Sequence, residues 1–387
     1  MKYIYAITAF LCAFISLNVK ADPITLKQSQ KIALRFVNDK FSEPVLVNKA
    51  KRKSGRKLAS QYQTVSPYYI YSRGEGLGFV IVSGDDALPE VLGYTESGDF
   101  NENDLPPFLT WYLDYYGQMI EAAQAHQAAK YEMPPAYAAA DRVNIAPLIK
   151  THWHQDSPYN DKCPTRRDGG GRCVTGCVAT AASQVAYYWW KDLPSETQAP
   201  TSSYRYGDQA NPTTAFPKGT PLKWELMLPQ YGSEPIEYRD AVATLLAVVG
   251  GGAGLTYGSS TSGYNDNCRA VFSNILGLNG GNENAKDWGE AYNNYSDEAW
   301  STLLYNDLSQ LRPVLYSGCN TKGEGHAVVV DGYQASTGLF HFNLGWGNPG
   351  AYDGYFTVAR GKSPSWGFND SWQECVTNVF PKKQNLK

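Results

Sequence analysis

Apolar residues at Phe108, Trp111, Tyr112, Tyr115, Tyr116 and Met119 recur with the i, i+3, i+4, i+7 spacing of an amphipathic helix, and Pro106-Pro107 mark its start. The aromatic stripe reads as a core face. An earlier helix is expected over 25–37, where Thr25 and Gln28 form a capping-box signature ahead of Ile32, Leu34, Phe36 and Val37. Between the two helices the pattern is strand-like. Residues 68–71, 79–82 and 91–94 are short apolar runs separated by Gly, Ser, Asp and Pro, as in antiparallel strands. A basic run, with Lys49, Lys51, Arg52, Lys53, Arg56 and Lys57, reads as a solvated loop.

Beyond the aromatic helix the pattern dissolves. Residues 122–140 are alanine-rich and contain Pro134-Pro135, which reads as a linker or cleavable junction. A chain of 387 residues suits about two domains of roughly 100–200 residues each. The boundary is placed between Lys130 and Val143, giving segments 1–21, 22–142 and 143–387.

The first segment has its own logic. Lys2 precedes a mostly apolar run from Ile4 to Leu17, and Val19-Lys20-Ala21 offers a small-residue cleavage site, the layout of a secretory signal. Export to the periplasm or the exterior is therefore expected. No later stretch reaches the ~18 apolar residues of a membrane span, so no stable membrane anchor is expected. The net charge of −3 supplies no basic field for nucleic acid. Six cysteines follow the signal: Cys163, Cys173, Cys177, Cys268, Cys319 and Cys375. An exported chain with an even count invites disulfides. Cys163 and Cys173 bracket a Gly-rich polar loop and are the expected pair.

The chemistry centres on Cys177. Gly176 precedes it, and Val178 to Ala186 are mostly small or helix-forming, so the thiol is expected at a helix N-terminus. The positive end of the helix dipole there favours thiolate, which is the nucleophilic form. A buried structural cysteine is the plainer reading. A base is needed, and His326 lies where Gly323-Glu324-Gly325 lead into a buried-type strand, Ala327 to Val330. A histidine at a strand mouth can enter a cleft while its strand anchors it, although a satisfied histidine at a sheet end is the alternative. His341 alternates within Phe340-His341-Phe342 and reads as outward-facing. The turn signal Ser336-Thr337-Gly338 predicts an antiparallel return that brings Asn343 close to His326. Its amide could orient the imidazole, and Trp346 could shield that bond from water. Ordinary turn chemistry explains Asn-x-Gly equally well.

With these residues in place, the chain resembles the streptopain family of secreted cysteine proteases. Gly176-Cys177-Val178-Ala179-Thr180 resembles its nucleophile motif, and Gly325-His326-Ala327 with Asp331-Gly332 resembles its histidine motif. His154-Gln155-Asp156-Ser157-Pro158-Tyr159-Asn160 resembles the stretch whose glutamine donates to the oxyanion, a role that passes to Gln155. Residues 79–85 with Leu92-Gly93-Tyr94 resemble the inhibitory propeptide. The resemblance implies a papain-like, two-lobed α+β catalytic domain behind an α+β inhibitory prodomain with an antiparallel sheet. It also implies protein or peptide substrates, the chain's own prodomain as intramolecular inhibitor, and no cofactor. One departure stands out: the family's Asn-Trp-Gly-Trp-Gly is Asn343-Leu344-Gly345-Trp346-Gly347 here, so one indole is lost and Trp346 matches the second. Two rivals remain. Cys163, Cys173 and Cys177 lie near His152 and His154, but without a CxxC the spacing is poor for structural zinc. A catalytically silent protease-like binding protein is the other.

Overall fold

The computed structural model describes residues 20–36, 44–51, 65–131, 142–193, 198–199, 202–206, 213–280, 295–320, 325–347, 352–359 and 371–382. The body of the expected signal, most of the basic run and most of the expected linker lie outside them. The N-terminal unit comprises α1 (Leu26–Ala33), β1 (Val45–Lys49), β2 (Tyr68–Ser72), β3 (Phe79–Ser83), β4 (Val91–Thr95) and α2 (Pro107–His126). Thr25 and Gln28 form both bonds of the capping box, so two of the orphan donors of α1 are satisfied. Two expectations need correction. Lys49 belongs to β1, an exposed edge strand, rather than to a loop. Ala122 and Ala123 continue α2, which ends in a left-handed Gln127, because buried alanines are good helix formers.

The second unit contains α3 (Cys177–Tyr188), β5 (Gln198–Ala199), β6 (Ser202–Tyr206), β7 (Thr213–Phe216), β8 (Thr220–Pro221), α4 (Ile236–Gly252), β9 (Thr256–Tyr257) and α5 (Cys268–Asn274). It continues with α6 (Asp297–Leu308), β10 (Val314–Asn320), β11 (Gly325–Gln334), β12 (Leu339–Asn343), β13 (Gly354–Phe356) and β14 (Ser371–Val376). Helices α3 to α5 form one lobe with the small sheets β5–β8 and β7–β6–β9, and the larger sheet with α6 forms the other. The fold is α+β.

Among the described residues the main sheet runs β1-β2-β3-β4-β13-β12-β11-β10-β14, with every neighbouring pair antiparallel. It crosses from one unit to the other at β4–β13, where Tyr94 opposes Tyr355 and their rings stack 5.2 Å apart. At the same seam a Cβ on Gly93 would come within 2.3 Å of the Phe356 ring, so the close approach needs glycine. Helix α2 lies over this seam. Tyr112 Oη donates toward Leu92 O at 2.7 Å and Thr357 O at 3.1 Å, and Tyr116 Oη toward Thr357 O at 3.1 Å and Ala359 O at 2.9 Å.

Alternation along β11 divides the core. Ala327 and Val329 face α3 and α4, whereas Val328 and Val330 face α2 and α6. Burying a valine is worth about 1.5–3 kcal/mol, so β11 is a firm mount for the residue at its mouth, His326. Arg142, beside the expected junction, is held on α6: its guanidinium donates to Ser301 Oγ at 2.7 Å and Thr302 Oγ1 at 2.9 Å and lies 4.7 Å from the Tyr305 ring centroid.

Candidate active site

Cys177 is the first residue of α3. The chain reaches it through Gly176, whose φ is 85° and whose would-be Cβ meets Thr261 Cγ2 at 2.9 Å. Both facts demand glycine. The approach loop is clamped on three sides. Thr261 Oγ1 donates to Val174 O at 2.7 Å, Asn160 Nδ2 to Cys173 O at 3.1 Å, and Thr175 N to Gln155 O at 3.1 Å. The last bond ties half-buried Gln155 to the strand of loop that delivers Cys177. Next to Gln155, the His154 ring lies so close to Gly347 that a Cβ there would come within 2.6 Å. The segments of Gln155, Cys177 and Trp346 therefore converge.

His326 enters from the sheet. It sits on β11 opposite Gly318 of β10 and is 5% exposed. Burial pushes the Cys177 thiol up. The charge of His326, the hydrogen bond between the two side chains, and the N–H groups of Ala327 and Val178 outweigh that effect and bring it below its ordinary value. A half-buried thiol whose ionised form is favoured by a histidine and two amides is a candidate nucleophile. The other cysteines differ. Burial pushes Cys163 and Cys319 up to about 12 and Cys268 and Cys375 higher still. Cys163 and Cys173 flank a narrow turn, where Thr165 bridges Arg172, but both are free thiols, contrary to the expected disulfide.

The register of β11 and β12 corrects one expectation. Asn343 opposes Val329, three residues from His326 and about 10 Å along the strand. Its amide is engaged elsewhere: Oδ1 accepts from Gln184 Nε2 at 3.0 Å and Gly345 N at 3.1 Å, and Nδ2 donates to Thr151 O at 2.9 Å. His326 Nε2 is buried without a partner. Trp346 also reaches His326, and its ring meets the imidazole edge to face with centroids 6.3 Å apart. Leu344, at the position of the lost indole, is fully buried, and its N–H donates to Asp353 Oδ1 at 2.7 Å. It belongs to the core rather than to the site.

His341 is not outward-facing. Its Nδ1 lies 2.6 Å from Asp331 Oδ1, and Asp331 Oδ2 accepts from Ile149 N at 2.8 Å. Burial works against the imidazolium, but Asp331 holds it above its ordinary value. This pair is structural and lies at the base of the hairpin. Among the described residues no group of three or more His, Cys, Asp or Glu side chains gathers as metal ligands.

A model of the Peptidase C10 family matches residues 153–356, more than half of the chain and the whole of this constellation. The chain belongs to the Peptidase C10 family. It is a cysteine peptidase. A second model, that of the Spi protease inhibitor, matches residues 21–120, so the inhibitor domain precedes the peptidase in the same chain. Streptopain of Streptococcus pyogenes is 29% identical over 343 residues, covering 82% of this chain and 81% of streptopain. The thiol protease/hemagglutinin PrtT of Porphyromonas gingivalis is 26% identical over 94% of this chain and 42% of its own length. The solved structure of a Prevotella intermedia prointerpain A fragment superposes with a TM-score of 0.66 at 28% identity, covering 85% of this chain and 100% of the fragment.

In this peptidase the inhibitor domain reaches the site. A Cβ on Gly318 would meet the Trp111 indole at 2.1 Å, so Trp111 of α2 fills the space above the glycine that opposes His326. The spacing of Trp111 marks a core face without showing whose core it is. Nor does the sequence mark Gly318 and Thr261, because each matters through a neighbour distant in sequence.

Proposed function

We propose that the chain is an exported zymogen whose processed form hydrolyses peptide bonds with Cys177 as nucleophile and His326 as acid and base. The observation that carries this reading is the Cys177 thiol held below its ordinary value by His326 and two backbone amides at the start of α3. The thiolate attacks the peptide carbonyl carbon. The resulting oxyanion accepts from the Gln155 carboxamide and the Cys177 N–H. The His326 imidazolium gives its proton to the leaving amine as the C–N bond breaks, which leaves a thioester. His326 then takes a proton from water, the hydroxide adds to the thioester, and the carboxylic acid departs as the Cys177 thiolate and imidazolium are restored. Trp346 screens His326 from solvent, and Asn343 supports the turn that carries Trp346.

The inhibitor domain keeps the site latent through Trp111 and the shared sheet. Processing cuts the chain between Lys130 and Val143 and releases the peptidase. Cys177→Ala and His326→Ala are expected to abolish hydrolysis of a protein substrate while the fold is retained. Gln155→Ala is expected to lower kcat by about 10²–10³ with little change in KM, because the oxyanion forms only along the reaction path. Full activity in Cys177→Ala or His326→Ala would refute the assignment, and absence of hydrolysis by the processed wild type would favour a silent binding protein.

A further inference from the structure

Gln184 stands two turns beyond Cys177 on α3, about 10.5 Å along the helix axis. It is 1% exposed, yet it carries a carboxamide. Burying an amide is costly unless each end is paired, and here both are. Thr151 Oγ1 donates to Gln184 Oε1 at 2.6 Å, and Gln184 Nε2 donates to Asn343 Oδ1 at 3.0 Å. Asn343 Nδ2 returns to Thr151 O at 2.9 Å and closes a ring. All three residues are buried, and they come from three separate segments: the stretch leading to Gln155, the helix of Cys177, and the end of β12.

The ring has one outlet. Asn343 Oδ1 also accepts from Gly345 N at 3.1 Å, which folds the chain into a tight turn two residues on. Gly345 takes a φ of 63° there, and a Cβ on it would lie 3.4 Å from Thr180 of α3. The turn then delivers Trp346 to the His326 ring. An apolar side chain of similar shape would fill the same space without setting any register between helix and turn.

We propose that Gln184 is a positioning residue for peptide hydrolysis, keying the helix that presents Cys177 to the turn that seats Trp346 against His326, with Thr151 and Asn343 as its partners. The inference rests on the assignment of Cys177 and His326 as the catalytic pair.

The test uses full-length precursors of Gln184→Met, Thr151→Ala and Thr151→Ser, each processed by a trace of wild-type enzyme that is then removed. Gln184→Met is expected to lower kcat by about tenfold or more while KM stays within about twofold. Thr151→Ala is expected to move kcat the same way, and Thr151→Ser, which keeps the hydroxyl, to recover most of the loss. A folded Gln184→Met enzyme with kcat within about twofold of wild type overturns the inference. Equal impairment of Thr151→Ser and Thr151→Ala also overturns it, and this pair decides the matter if Gln184→Met does not fold. Alkylation of Cys177 in the wild type separates the two levels. If turnover survives alkylation, the catalytic pair itself is wrong. If turnover is lost while Gln184→Met matches wild type, only the positioning role falls.

Discussion

Trp346 meets His326 edge to face across the mouth of β11, with ring centroids 6.3 Å apart. An indole in that position shields the proposed Cys177–His326 pair from water, and a drier pair interacts more strongly. Trp346→Ala is expected to lower kcat/KM by about 10- to 100-fold. Asn343→Ala should act through the turn, so in the Trp346→Ala background it should add little further loss. Steady-state kinetics of the two single variants and the double variant check this, and full additivity would contradict it.

The pH dependence of Cys177 follows from the sign of its shift. Its thiol lies below the ordinary value, so the thiolate fraction, and with it the rate of alkylation, is expected to fall only when pH drops below the usual thiol range. In His326→Ala the main opposing influence is gone and burial prevails. The alkylation midpoint should then move upward. An unchanged midpoint would detach His326 from the thiol.

Trp111 bears on latency. Truncating a buried indole costs about 3–5 kcal/mol, and part of that loss falls on the contact with Gly318 of the peptidase. The Trp111→Ala precursor is expected to shorten faster than wild type and to cleave a peptide substrate before it is processed. A time course of precursor length and activity reads both. Identical kinetics would place latency elsewhere.

Asp85 makes the inhibitor domain sensitive to pH. It is fully buried, and desolvation pushes its carboxyl up to about 7. It lies beside Gln124, whose side chain offsets part of that rise. A carboxyl raised on folding costs stability as it ionises: the cost is absent below the unfolded value near 4, grows as pH rises to about 7, and reaches roughly 4 kcal/mol above that. Asp85→Asn in the Cys177→Ala precursor is expected to raise Tm at pH about 8 and to change it little at pH about 4. Equal changes at both pH values would contradict this.

Much of this arrangement was legible in the chain because it rests on local signals. The capping box of Thr25, the aromatic spacing of α2, Gly176 before Cys177 and Gly325 before His326 each act within a few residues. The rest depends on partners distant in sequence. Strand β1 was hidden because an exposed edge strand needs no apolar alternation: Val45, Leu46 and Val47 face solvent beside Asn48 and Lys49. Asn343 was drawn toward His326 by the turn signal, whereas the pairing, counted through the bulge between Val330 and Gly332, sets it against Val329. Gln184 lies on the same helix as Cys177, yet nothing in its neighbours foretells Thr151 and Asn343. The shared sheet was invisible for the same reason, since β4 and β13 lie far apart in the chain.

The most direct measurement of the central claim is mass-spectrometric mapping of the processed enzyme after titration with an epoxide inhibitor of cysteine proteases. The account predicts a single adduct, on Cys177, whose occupancy rises in step with the loss of peptidase activity and which does not form in the intact precursor. Full loss of activity with Cys177 unmodified, or full occupancy of Cys177 with activity retained, would contradict it.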